Sequence, residues 1–146
     1  MRLLPVLDPT EWKALHRLRQ EVLFRPERLP WVYDPNHPDD RQPCHTPLIL
    51  WDGEVAVGCA RLDRREGYGI LRLVAIAERR QGQGLGRALD GMVTDFARSK
   101  GLLSLRVNAA SEAVGFYRKC GWKDCIWDRE EAQRAPTPVV QMSKSL

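Results

Sequence analysis

The chain has 146 residues, 43% hydrophobic and 29% charged, a composition that excludes global disorder and suits one domain, 1–146, with a real core. Its net charge of +4 is modest and scattered, compatible with an anionic ligand but without the basic stripe and interleaved aromatics of a nucleic-acid binder. No apolar run approaches the roughly 20 residues that cross a membrane, and "MRLLPVLDPTEW" is too briefly apolar, and lacks the cleavage site, for a secretory signal; a cytoplasmic protein is expected.

Residues Arg2–Leu7 read as a first strand. Trp12, Leu15, Leu18, Val22 and Leu23 then recur at helical spacing, predicting a helix from Glu11 to Phe24 capped by Thr10. Arg25–Pro47 holds six of the ten prolines, which excludes a long helix or central strand there. A loop of that length in a compact domain is commonly functional, and Trp31 and Tyr33 either line a pocket or pin it down. Leu48–Trp51 and Glu54–Asp63 form a hairpin about Asp52-Gly53, and Tyr68–Ile76 is a third apolar strand. Leu85, Leu89, Met92, Val93 and Phe96 share one face of a helix from Gly84 to Lys100, stopped by Gly101. Leu102–Val107 is a further strand. Ser111 is placed as the cap of a short helix carrying Ala113, Phe116, Tyr117 and Cys120. Trp122–Trp127 and Val139–Lys144 close the chain as strands around the charged "DREEAQR". Early hairpins with a central βαβ unit mean a mixed sheet with helices on its faces. Cys44, Cys59, Cys120 and Cys125 have no Cys-x-x-Cys spacing and are expected to be reduced thiols.

The stretch "RRQGQGLGRAL" (Arg79–Leu89) is the strongest chemical signal. It follows a strand and opens a helix, where unpaired amides and the helix dipole attract anions, phosphate above all. Glycines let the backbone form a concave nest, and Arg79, Arg80 and Arg87 add charge. No Lys-Ser/Thr follows, so it is not the nucleotide-triphosphate loop. Arg87 stands where the dinucleotide and kinase fingerprints need glycine. What remains is Gln81-x-x-Gly84-x-Gly86.

That pattern resembles the pyrophosphate motif of the GNAT superfamily, the CoA-dependent N-acyltransferases. "AVGFYRKCGW" (Ala113–Trp122) is similar to the family's second signature, and "VVQMSKSL" to its last strand. The resemblance is clear over Leu48–Leu146 and holds only in outline before it. It implies an α/β (α+β) fold with a mixed, mostly antiparallel sheet of six to seven strands flanked by helices. It also implies an N-acetyltransferase whose cosubstrate is acetyl-CoA, with no metal. The acceptor would be the primary amine of a small molecule or peptide, attacking directly in a ternary complex. Homodimers are common in the family; a non-catalytic acyl-CoA-binding module is the alternative reading.

By the same resemblance, the amides of Gln81, Gly82, Gln83, Gly84, Leu85, Gly86 and Arg87 hold the pyrophosphate. Leu73, Val74, Ala75 and Ile76 pair with the pantetheine arm. A bulge in that strand aims an N–H from near Leu73 or Val74 at the thioester carbonyl. Tyr117 matches the tyrosine that protonates the leaving thiolate, and Phe116 beside it is placed with the cofactor-binding residues; by residue pattern alone Tyr117 is a core-facing aromatic. Asn108 matches a position that orients cofactor or substrate, or else it is a strand-end turn residue. Ala110 departs from the Asn or Gln usual before the second motif. The family fixes no general base; Glu78, His45, Asp63 and Glu66 are weighed, and none is assigned. Acceptor choice falls to Arg25–Pro47, with Glu27, Asp34, Asp39 and Asp40 against Arg25, Arg28 and Arg41, and to Asp128–Arg134.

Overall fold

The fold is that of a computed structural model, which describes residues 1–25 and 33–146; Glu27, Arg28 and Trp31 lie outside them. The elements run β1 (Arg2–Pro5), α1 (Pro9–Val22), β2 (His45–Asp52), β3 (Val55–Arg64), β4 (Tyr68–Ile76), α2 (Leu85–Ser99), β5 (Ser104–Ala110), α3 (Val114–Lys119), β6 (Lys123–Asp124), α4 (Arg129–Arg134) and β7 (Val139–Ser145). Seven strands form one sheet in the order β1-β2-β3-β4-β5-β7-β6. Only β4 and β5, joined through α2, run parallel; every other pair is antiparallel. This is the mixed, mostly antiparallel sheet expected, with helices against both faces.

Strand alternation divides the core. Leu48, Leu50, Leu62, Leu71, Leu105 and Val107 pack with Leu85, Leu89 and Val93 of α2 and Tyr117 of α3. Ile49, Cys59 and Ala75 pack on the opposite face under Leu15 and Leu18 of α1.

Several element ends differ from expectation for local reasons. Helix α1 starts at Pro9, a residue suited to the first helical position, so Asp8 rather than Thr10 caps it. Asp8 Oδ1 accepts from the Glu11 amide at 2.8 Å and Glu11 Oε1 accepts from the Asp8 amide at 3.0 Å, a complete capping box. Ser111 lies inside a 3-10 turn ahead of α3 and makes no cap bond. The Leu102 and Leu103 amides go to Ala97 and Gly67, so β5 starts at Ser104 and runs to Ala110. Of Trp122–Trp127 only Lys123–Asp124 is strand. The Trp122 amide closes α3 on the Tyr117 carbonyl, while those of Trp127 and Asp128 are taken by the Gln141 side chain. "DREEAQR" is not a mere charged link: Asp128 caps α4 within it.

Candidate active site

Strands β4 and β5 part in mid-sheet. Their parallel pairing stops at Leu71 opposite Val107, yet β4 continues to Ile76 and β5 to Ala110. The β5-side edge of β4 beyond Leu71 therefore pairs with no described strand. The β3–β4 register shifts at the same place, between Cys59–Ala75 and Arg61–Arg72, which bulges Leu73 and Val74. Leu73 has φ 52°, alone among the described non-glycine residues in being positive. A leucine in that region costs about 1–3 kcal/mol unless its surroundings enforce it. Here the Cys59 thiol reaches the Leu73 carbonyl at 3.8 Å from beneath α1. Burial pushes that thiol up to about 12, so Cys59 is an uncharged core side chain.

The glycine loop lies at the end of the parted strand. Gly82 and Gly84 have φ of 76° and 80°, and a Cβ on either would meet nothing within 4 Å. Gly84 is the N-cap of α2. The backbone amides of residues 82–87 donate to no described protein acceptor, and helix bonding begins with Ala88 onto Gly84. The result is an open, cationic concavity made of backbone. Side chains brace it from outside: Gln81 Nε2 donates to the Ile76 carbonyl (3.0 Å), and Arg80 donates to Gln83 Oε1 (3.0 Å) and Asp52 (2.8 Å). Gly86 has another reason to be glycine, since a Cβ there would stand 3.2 Å from the Phe116 ring.

Through Phe116 the loop touches α3. Phe116 and Tyr117 meet edge to face at 5.3 Å, and Tyr117 meets Trp122 likewise at 5.3 Å. Tyr117 is 6% exposed, and its hydroxyl makes no hydrogen bond to a described residue. Burial, reinforced by the Asp90 carboxylate and by Cys120, raises the phenol well above its usual range, so it stays protonated at neutral pH. Asp90 is itself buried, accepting from Trp122 Nε1 and Lys144 Nζ at 2.9 Å each.

The opposite face of the sheet carries a polar row that the sequence did not reveal. Paired register places Arg61, Arg72, Asn108 and Gln141 side by side on β3, β4, β5 and β7. Asp63 is 1% exposed and accepts from Arg61 (2.7 and 3.0 Å) and Arg72 (2.9 Å). Asp40 joins Arg61 to Arg19 (3.3 and 2.7 Å), and those bonds hold its carboxyl below the ordinary range although burial opposes them. At the parting of the strands, Glu131 of α4 takes both Nη atoms of Arg72 at 3.0 Å and the Asn108 amide at 2.6 Å. Burial would raise the Glu131 carboxyl, but these bonds and the Arg72 charge win and lower it. Asn108 Oδ1 in turn accepts from Gln141 Nε2 at 2.9 Å. Asn108 is thus engaged at both ends by protein.

Of the candidate bases, His45 contacts the Asp39 carbonyl, Arg65 and Asp63, Glu78 pairs with Arg25, and Glu66 is exposed in a turn. Asp63 is saturated by arginines. None presents a free basic atom at the parted strands. Two surface grooves, ≈ 620 Å³ along Trp12, His16 and Arg41 and ≈ 520 Å³ along Cys44, Arg64 and Lys100, share no residue with the loop or the parting.

The sequence and the fold also match known proteins. Residues 41–146 match the model of the acetyltransferase (GNAT) domain. The chain is 26% identical over 127 residues, 87% of each chain, to the uncharacterized N-acetyltransferase YjcF of Bacillus subtilis (strain 168). Among solved structures, Escherichia coli ElaA superposes with a TM-score of 0.79 at 17% identity, covering 98% of this chain and 97% of its own. An aminoglycoside 6'-N-acetyltransferase complexed with coenzyme A gives 0.78 at 15%, covering 99% and 97%. The chain belongs to the GNAT acetyltransferase family and is an acyltransferase. Among the described residues no helix is long and apolar enough to cross a membrane.

Proposed function

We propose that the protein transfers an acetyl group from acetyl-CoA to a primary amine of a small molecule or peptide, by direct attack in a ternary complex. The observation that carries this reading is the continuity of three features: the unpaired edge of β4, the bulge within it, and the row of free amides at its end. The amides of residues 82–87 bind the pyrophosphate, with Arg79 and Arg87 adding charge. The edge of β4 from Leu73 to Ile76 takes the pantetheine arm as an added strand. The bulged backbone at Leu73 and Val74 supplies an N–H to the carbonyl oxygen as charge builds on it.

Tyr117 is the acid in this reading. Attack by the amine on the thioester carbon forms the C–N bond; collapse breaks C–S, and the sulfur needs a proton. A buried phenol keeps its proton until then. The thiolate forms in the same poorly hydrated region, so its basicity rises with that of the phenol and the transfer stays feasible. The amine approaches from the polar face and must lose a proton, to water or to the acceptor's own surroundings. Holding thioester and amine together supplies much of the acceleration without an assigned base.

The test is release of free thiol from acetyl-CoA against a panel of amines, after a thermal-shift screen of CoA thioesters. Tyr117→Phe should lower kcat about 100-fold with acetyl-CoA affinity retained. Unchanged turnover would remove the acid role. Tight binding with no turnover across the panel would point to a sensing module instead.

A further inference from the structure

Glu131 bridges the strands just where they separate. Arg72 is the first β4 residue beyond the last β4–β5 pair, and Asn108 is the first on β5. One carboxylate holds both, with Oε2 accepting from Arg72 Nη1 and Asn108 Nδ2, and Oε1 from Arg72 Nη2. Among the described residues no other hydrogen-bonded bridge links the two strands beyond Leu71. Arg72 is also the residue before Leu73, whose positive φ aims the bulge. Its guanidinium is clamped on one side by Asp63 and on the other by Glu131.

The helix that delivers Glu131 is held by polar contacts. α4 has six residues, none buried, too few to be stable alone. Its N-terminus hangs on Gln141, which accepts from the Trp127 and Asp128 amides and donates to the Asp128 carbonyl at 2.8 Å. Trp127 Nε1 adds a bond to the Val107 carbonyl at 3.2 Å. Asp128 Oδ1 caps the helix by accepting from the Glu131 amide at 3.0 Å. Such a segment can detach without opening the core.

We propose that Glu131 is a positioning residue for acyl transfer. Through Arg72 and Asn108 it sets the gape between β4 and β5 and the aim of the Leu73 bulge. The proposal rests on the parted strands being the acyl-CoA site. It assigns no chemistry to the carboxylate itself, whose bonds to Arg72 and Asn108 keep it ionised and spend its basicity.

The test compares Glu131→Ala, Glu131→Gln and Glu131→Asp in the full chain, with Arg134→Ala as a control that removes only an exposed pair with Glu130. Glu131→Ala should lower kcat about tenfold or more while the acetyl-CoA KM moves by less than about twofold, the pattern of misaimed groups. Glu131→Asp, which keeps the charge, should recover part of the loss, and Glu131→Gln should fall between. Amide exchange at Arg72–Ala75 in the unliganded protein should quicken about tenfold in Glu131→Ala and stay unchanged in Arg134→Ala. Unchanged kcat, or an aspartate no better than alanine, overturns the proposal. If the wild type does not bind acetyl-CoA, the reading of the site fails instead. Exchange still decides the bridge in that case: unaltered rates at the bulge overturn it.

Discussion

The two sides of the parted strands are built by different means. On the loop side the free groups are backbone amides of residues 82–87, and side chains only brace them. On the other side lies a chain of side chains, Arg19–Asp40–Arg61–Asp63–Arg72–Glu131–Asn108–Gln141, linked end to end by hydrogen bonds. A backbone site tolerates most substitutions that leave its φ angles alone. A buried ionic chain tolerates almost none, because each charge left without its partner carries its full desolvation cost. The division fits the proposed chemistry. The donor's pyrophosphate is constant and backbone suffices for it, whereas an acceptor must be told from other amines, and that needs side chains.

The largest expected effect comes from breaking the side-chain half at its centre. Asp63→Ala leaves Arg61 and Arg72 facing each other in a site 1% exposed, and should cost about 3–5 kcal/mol of stability. Denaturant unfolding measures it. The fraction that remains folded should still be stabilised by acetyl-CoA, because the loop half does not touch this network. A loss below about 1 kcal/mol would mean the ionic chain is less sealed than the geometry implies.

Next in size is a change on the backbone half. Gly84→Asp places a carboxylate in the open space beside the free amides, and should weaken acetyl-CoA about 100-fold, near 2.7 kcal/mol. Any side chain at φ 80° adds backbone strain, so Gly84→Asn is the companion: it shares the conformation without the charge. Calorimetric titration of both separates the two causes. Equal losses would assign the effect to the backbone, and retained affinity in both would remove the pyrophosphate from this loop.

The same division explains what could be read from the sequence. The loop was legible because "GQGLG" between a strand and an apolar helical face has no cheaper explanation than bare backbone. Tyr68–Ile76 came out with its observed bounds because both of its faces are largely apolar. The polar row was not legible: Arg61, Asp63, Arg72, Asn108 and Gln141 each alternate with apolar neighbours, which is also the pattern of a solvated sheet face. Only register across β3, β4, β5 and β7 makes them neighbours. Helix α4 was missed for a related reason: none of its residues is buried, so its sequence carries no apolar period, and its anchors are Asp128 and Glu131. Leucine gives no sign of positive φ, so the bulge at Leu73 came from the family resemblance and not from the residue.

The smallest effect separates two glycines that one motif writes alike. Gly84 has open space around a Cβ but an unfavourable φ; Gly86 has an ordinary helical backbone but the Phe116 ring at 3.2 and 3.3 Å. Gly86→Ala gains helix propensity worth roughly 1 kcal/mol and must push Phe116 by a few tenths of an ångström, so its net stability change should stay within about 1 kcal/mol. The push acts on the ring that packs edge to face on Tyr117, so kcat should fall more than acetyl-CoA affinity. A smaller side chain should relieve it: Gly86→Ala and Phe116→Leu should couple by about 0.5–1 kcal/mol, while Gly84→Ala and Phe116→Leu should add. Coupling in both pairs would mean that the loop's two glycines share a single cause, and coupling in neither would mean that α3 does not feel the loop through Phe116.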